Sequence, residues 1–302
     1  MWITDMEDLA KAYQGKRRPG SKHLSFSIQK WVIFAIFVIY AISLLFPFLW
    51  MLLNSFKSGE EFMAGNIFGW PKQFYGLNFS EVMTYQVEGQ TVWSMLINSI
   101  ILTLIGTVLN VFLSACAAYC ISKFKFIGRT FIYAMAIFTM IVPIVGTLPS
   151  EVVMMETFHL EDSILGVLFL YSGCFGFNFL LLYSSFNSIS WSYAEAAAID
   201  GAGRFKTFFT IMLPMAKGPL IACAILQAIV YWNDYTTPFL FMPSRMTLAV
   251  GLQRLQEELG GSSGNYPMVF ASMLIALLPV LLLYIIFQKK IIENTNAGGL
   301  KG

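Results

Sequence analysis

Two stretches of this sequence place chemically capable side chains in surroundings that are otherwise apolar. The first is Trp232, Asn233, Asp234 and Tyr235, where Asp234 is the one charged residue in an apolar run from Gly218 to Met242. A carboxylate so placed usually faces a cavity or a partner group, and the aromatic faces and amide beside it are groups that sugars use. Two roles stay open for it: contact with a solute in a pathway, or securing a gate or loop at the end of its helix. The second stretch runs from Glu195 to Pro214, a polar and amphipathic interval between two long apolar runs. Ser192 followed by Glu195 has the spacing of a capping box, which predicts a short helix over Tyr193 to Asp200, ended by Gly201 and Gly203. Phe205, Phe208, Phe209 and Met212 then recur at helical spacing, and Pro214 kinks or restarts the chain before the next run. The interval reads as a helix-turn-helix at the membrane surface, with Ala194, Ala196, Ala197 and Ala198 small enough for another protein's backbone to approach. An interfacial loop capped for local reasons alone fits the same residues.

Other chemistry is sparse. His23 and His159 are the only histidines, and Cys116, Cys120, Cys174 and Cys223 all fall inside apolar runs. These make no hydrolase constellation, metal site or disulfide framework, and the sequence has no Walker-type glycine loop. The expectation is a protein with no catalytic residues and no bound metal or cofactor, any ATP chemistry lying on other chains.

The elements that must position these residues follow from composition. The chain has 302 residues, 57% hydrophobic and 12% charged, with a mean hydropathy of +0.67, against about 25% charged in soluble domains. It reads as an all-α integral membrane protein. Uncharged runs long enough to span a bilayer extend over Trp31 to Leu53, Ile97 to Ile121, Thr130 to Leu148, Ser163 to Phe186 and Met268 to Phe287, and the Asp234 run makes a sixth. Barrel strands would be shorter and would alternate. With both termini cytoplasmic, the inner segments hold fifteen of the nineteen Lys and Arg residues, as the positive-inside rule requires. Division follows as a basic N-terminal arm over residues 1–30, a six-helix domain over 31–292 with a cytoplasmic loop at 187–217, and a cytoplasmic tail over 293–302. The arm suits anionic lipid headgroups better than nucleic acid. The first run is too long for a signal-peptide core and is expected to be retained. Two outer segments, Asn54 to Leu96 and Pro243 to Pro267, have the turn residues of irregular loops and either dock an external partner or merely connect helices. Pro143 and Pro279 should bend their spans.

Glu195, Ala196, Ala197, Gly201, Ile211, Leu213 and Pro214 match at every fixed position the signature loop of the membrane subunits of ATP-binding cassette importers. Together with Asp200 in "AIDGAG", with Asn98-Ser99, "WND" and the tail "NTNAGGLKG", they make the chain resemble the carbohydrate branch of that family, in particular the smaller membrane subunit of maltose-type importers. Ser190 departs from the proline often found there. The resemblance implies a type I importer permease in a prokaryotic plasma membrane. It also implies a second permease subunit, two cytoplasmic ATPase subunits carrying ATP and Mg, and an external solute-binding protein that delivers a sugar. It further implies that Glu195 meets a basic residue of the ATPase subunit, and that Gly299, Lys301 and Gly302 touch it. Read from the residues alone, Glu195 stays open between that contact and its capping role. An importer of another polar solute, or an ion-coupled secondary transporter, remains the alternative, although no internal repeat of the kind expected for the latter is apparent.

Overall fold

The computed structural model describes residues 22–142 and 146–297, and the side chains of 22–27, 261–263 and 289–297 fall outside that description. Most of the basic arm, Pro143, and the tail residues Gly299, Lys301 and Gly302 therefore lie outside the described residues.

The chain is mostly helical. Helix α1 (Lys22–Ser55) is apolar and exposed along the stretch that forms a unit of its own up to Met51. In the remaining unit, short helices α2 (Gly59–Met63) and α3 (Asn78–Thr84) precede a two-residue antiparallel hairpin, β1 (Gln86–Val87) and β2 (Gln90–Thr91). Thr91 then caps α4 (Val92–Lys123), its hydroxyl accepting from Ser94 N–H at 3.2 Å. The chain continues through α5 (Arg129–Ile141), α6 (Leu148–Thr157), α7 (Ile164–Tyr171) and α8 (Phe177–Ser188). Next come α9 (Ser192–Ile199), α10 (Arg204–Met215) and α11 (Lys217–Trp232). The last helices are α12 (Thr236–Phe241), α13 (Leu248–Leu255) and α14 (Tyr266–Ala297).

Among the described residues, three helices are long and apolar enough to cross a bilayer, over Ile28–Ser55, Val92–Lys123 and Tyr266–Gln288, and a fourth crossing results if α10 and α11, bent by 77° at Ala216, count as one. The other expected spans are interrupted. Helix α5 stops after 13 residues, about 20 Å at 1.5 Å per residue, short of a hydrocarbon core about 30 Å thick. The run Ser163 to Phe186 divides into α7 and α8 around residues 172–176, where Gly176 takes a φ of 139°. The run Gly218 to Met242 stops being helical at Asn233 and resumes at Thr236.

Lipid offers no hydrophobic gain for helix association, so contact in a membrane depends on close packing of small residues. Ala115 and Ala118 of α4, Ala136 of α5 and Cys223 of α11 are buried in one cluster with Phe179, Leu182 and Phe186 of α8. The far side of α4 carries exposed Leu104, Ile105 and Val108.

The break between α7 and α8 frees backbone carbonyls, and side chains of the neighbouring helices take them up. Asn110 Nδ2 donates to Tyr171 O at 3.3 Å and Gly173 O at 2.7 Å, Ser114 Oγ to Cys174 O at 3.0 Å, and Tyr231 Oη to Tyr171 O at 3.1 Å. Asn178 Nδ2 in turn donates to Asn110 Oδ1 at 2.9 Å and Gln227 Oε1 at 2.7 Å. The near-isosteric Asn110→Leu removes this donor, and each carbonyl left without a partner costs about 1–3 kcal/mol. Thermal unfolding in detergent should show a clearly lowered midpoint for Asn110→Leu and none for Val108→Leu on the exposed face.

Candidate functional site

The loop that the sequence singles out is a compact, locked unit. Helix α9 was expected to start with a Ser192 cap, but the cap position is Trp191, which makes no side-chain capping bond. Ser192 N–H donates instead to Ser190 Oγ at 3.3 Å, and the two hydroxyls share a 2.8 Å bond. Glu195 N–H already pairs with Trp191 O at 3.1 Å. Ser190, where the sequence departs from the family's proline, thus serves the first turn in place of the expected Ser192 cap. At the other end Ala202 N–H donates to Ala197 O at 2.8 Å and Gly201 N–H to Ala198 O at 3.1 Å, the paired bonds of a Schellman stop. Gly201 takes the φ of 77° that this stop requires.

The two ends fix which face shows. Ala194 and Ala197 are buried against the chain's own core, whereas Glu195, Ala196, Ala198, Ile199 and Asp200 are exposed. Only Ala196 and Ala198 of the four alanines therefore remain available for an approaching backbone. Glu195 makes no side-chain hydrogen bond or ion pair among the described residues, and so presents a free carboxylate.

Helix α10 carries the second half of the motif. Its middle, Phe208–Met212, is wound as a π-helix, with Leu213 N–H bonding back to Phe208 O. Pro214 has no N–H to give and its ring crowds the preceding turn, and the wider winding absorbs that strain. The change of register splits the expected aromatic stripe: Phe208 and Met212 are buried, while Phe205 is 83% and Phe209 48% exposed. Ile211 and Leu213 are half-buried, Pro214 is exposed, and the bend to α11 follows directly at Ala216.

The residues Trp232 to Tyr235 share a corner without converging on one point. Trp232 Nε1 donates to Ala276 O at 3.1 Å, Asn233 Nδ2 to Ile229 O at 2.8 Å, and Tyr235 stacks on Phe239 at 5.1 Å. Trp232 and Asn233 line a cleft of about 260 Å³ with Leu248, Leu252 and Met273. Asp234 is tied elsewhere. Its Oδ2 accepts from Tyr171 Oη at 2.7 Å and its Oδ1 from Thr237 N–H at 3.1 Å. Tyr171 lies flat on Tyr231, centroids 3.8 Å apart and planes at 8°. Gly106 makes room for the pair, since a Cβ there would stand 2.8 Å from the Tyr171 ring.

Tyr171, Asn110, Asn178 and Gln227 escape a search limited to charges inside apolar runs. A search for amides at membrane depth, where a polar group needs an internal partner, would have found the last three.

The structure is that of a helical membrane protein with interrupted apolar runs and an exposed surface loop locked at both ends. Residues 110–293 match the family described as binding-protein-dependent transport system inner membrane component, and the chain belongs to that family. It is similar to a putative ABC transporter permease protein of Caldicellulosiruptor sp., 32% identical over 259 residues that cover 85% of this chain and 91% of that one. It is also similar to the arabinooligosaccharides transport system permease protein AraQ of Bacillus subtilis, 30% identical over 290 residues, covering 92% and 98%. Among solved structures, a chain of a bacterial ABC transporter involved in the import of the acidic polysaccharide alginate superposes with a TM-score of 0.76 at 26% identity, covering 91% of this chain and 99% of that one. Family membership sets aside the ion-coupled transporter and makes the chain a permease component of the inner membrane.

Tyr171→Phe keeps the stacked ring but removes the hydroxyl from Asp234, an expected loss of about 1–3 kcal/mol. In a double-mutant cycle of unfolding with Asp234→Asn, the two changes should be clearly non-additive.

Proposed function

We propose that this chain is one of two membrane subunits of an ATP-driven importer. It would take up a sugar or oligosaccharide delivered by an external binding protein, and two cytoplasmic ATPase subunits would drive it through the loop at 187–217. ATP and Mg would reside on those subunits. The observation that carries the reading is the free carboxylate of Glu195, held outward on a helix whose two ends are both locked. A carboxylate in that position is a ready acceptor for a charge-assisted bond from a basic residue of a partner. Exposed Ala196, Asp200 and Ile199 would share the contact, while Gly201, Ile211, Leu213 and Pro214 shape the loop that delivers it.

Six crossings with both termini inside remain the topology that best fits the charge distribution, each interrupted run counting as one broken crossing. The arm at 1–30, the permease domain at 31–292 and the tail at 293–302 follow from it, with Gly299, Lys301 and Gly302 as further ATPase contacts. The carbohydrate cargo is supported by the names of the relatives, an arabinooligosaccharide system and an alginate importer among them. For Trp232 to Tyr235 the hydrogen bonds favour division of labour. Asp234 with Tyr171 acts as a latch between α7 and the α11–α12 corner, and Trp232 and Asn233 edge the path.

Glu195→Gln tests the coupling role without disturbing the loop, because the side chain makes no hydrogen bond or ion pair among the described residues. In the reconstituted importer, transport and binding-protein-stimulated ATPase activity should both fall about tenfold or more, the equivalent of one charge-assisted bond. Unchanged transport together with unchanged stimulation would overturn the reading.

A further inference from the structure

The connection that follows α1 is built inside out. Lys57 is fully buried, its Nζ donating to Asn54 Oδ1 at 2.8 Å and Asn66 O at 2.6 Å. Asn78, also buried, donates through Nδ2 to Ser55 O and Lys57 O, both at 2.8 Å. Asn66 Nδ2 reaches Glu61 Oε1 at 2.6 Å and Trp70 O at 3.0 Å, and Lys72 N–H donates to the same Glu61 oxygen at 2.8 Å. Burial pushes the Lys57 ammonium below its usual range, with Glu61 acting in the opposite direction. Tyr75 N–H closes back on Phe56 O at 2.8 Å, and Phe74 stacks on Phe56 at 4.3 Å. With the polar groups turned inward, the large apolar ones face out: Met63 is 63%, Phe68 76%, Trp70 83%, Phe74 71% and Leu77 56% exposed.

The position of this crown follows from chain continuity. Helix α1 carries an uncharged run of 23 residues, Trp31 to Leu53, about 35 Å at 1.5 Å per residue, enough to cross a hydrocarbon core about 30 Å thick. Its end at Ser55 therefore lies at headgroup level, and the loop is hydrogen-bonded to Ser55 and Phe56. Aromatic side chains favour that level, and exposed Lys72 supplies a cation for lipid phosphate. We propose that the loop from Met63 to Leu77 is an interfacial anchor that seats Phe68 and Trp70 at the headgroup–acyl boundary of the bilayer that α1 crosses. The anchor holds whichever side of the membrane the loop occupies, and it requires neither the sugar cargo nor the ATPase contact.

The test places a nitroxide at Phe68→Cys or Trp70→Cys in the assembled transporter, in phospholipid nanodiscs, with the four native cysteines replaced. Glu88→Cys on the hairpin serves as the aqueous reference. Power saturation should give an oxygen-to-nickel-chelate accessibility ratio several-fold higher at 68 and 70 than at 88. A ratio equal to that at 88 would place the loop in water, and exclusion of both reagents would place it under a protein partner; either outcome overturns the anchor. Quenching by brominated lipid, compared between the unlabelled protein and Trp70→Phe, gives a reading that needs no cysteine changes. Loss of a quenched component in the variant is expected, and equal quenching would overturn the proposal.

Discussion

A backbone carbonyl shielded from water has to find its donor within the protein, and the structure depends most on how the break around residues 172–176 meets that requirement. Asn110, Ser114 and Tyr231 bring donors from two different helices to the carbonyls of one broken segment. Those donors fix the rotation of α4 and α11 about their axes, because an amide that turned away would leave a stranded group on both sides. The small residues that let these helices approach then become useful. The stacked Tyr171 and Tyr231 can sit against Gly106, and the Tyr171 hydroxyl comes within reach of Asp234.

The surface loop obeys a different rule. It is held by its own backbone, through a Schellman stop at Gly201 and a serine-assisted start at Ser190. Ala194 and Ala197 seat one face in the core and leave the other bare. A partner that met the exposed face would find its backbone already ordered, so binding there would not have to offset much lost backbone entropy.

The sequence made the continuous spans legible and the broken ones only in outline. Apolar length located the apolar stretches Ile28–Ser55, Val92–Lys123 and Tyr266–Gln288 to within about five residues, because each lies in one continuous helix that runs on even through Pro47 and Pro279. The same measure runs straight through Gly173 and Gly176, since a hydropathy window counts side chains and does not see where the path of the chain bends. The fixed positions of the surface loop were visible as a pattern, and its glycine stop was read correctly. The start was not, because the Ser192 hydroxyl pairs with Ser190 and Glu195 N–H is taken by Trp191 O, a pairing that the spacing of Ser192 and Glu195 does not reveal. Residues paired across distant helices, such as Tyr171 with Asp234, leave no local trace at all.

The bend of 77° at Ala216 sets how displacement passes along this part of the chain. Helix α10 and helix α11 meet almost at a right angle, with the buried, side-chain-poor Ala216 at the corner and the loosely wound π-segment just before it. A shove delivered along α10 therefore arrives at α11 mainly as a sideways tilt, as in a bell crank, and only weakly as a push along its axis. The far end of α11 is the corner of Trp232 to Tyr235, so the surface loop and that corner stand at the two ends of one angled pair of helices.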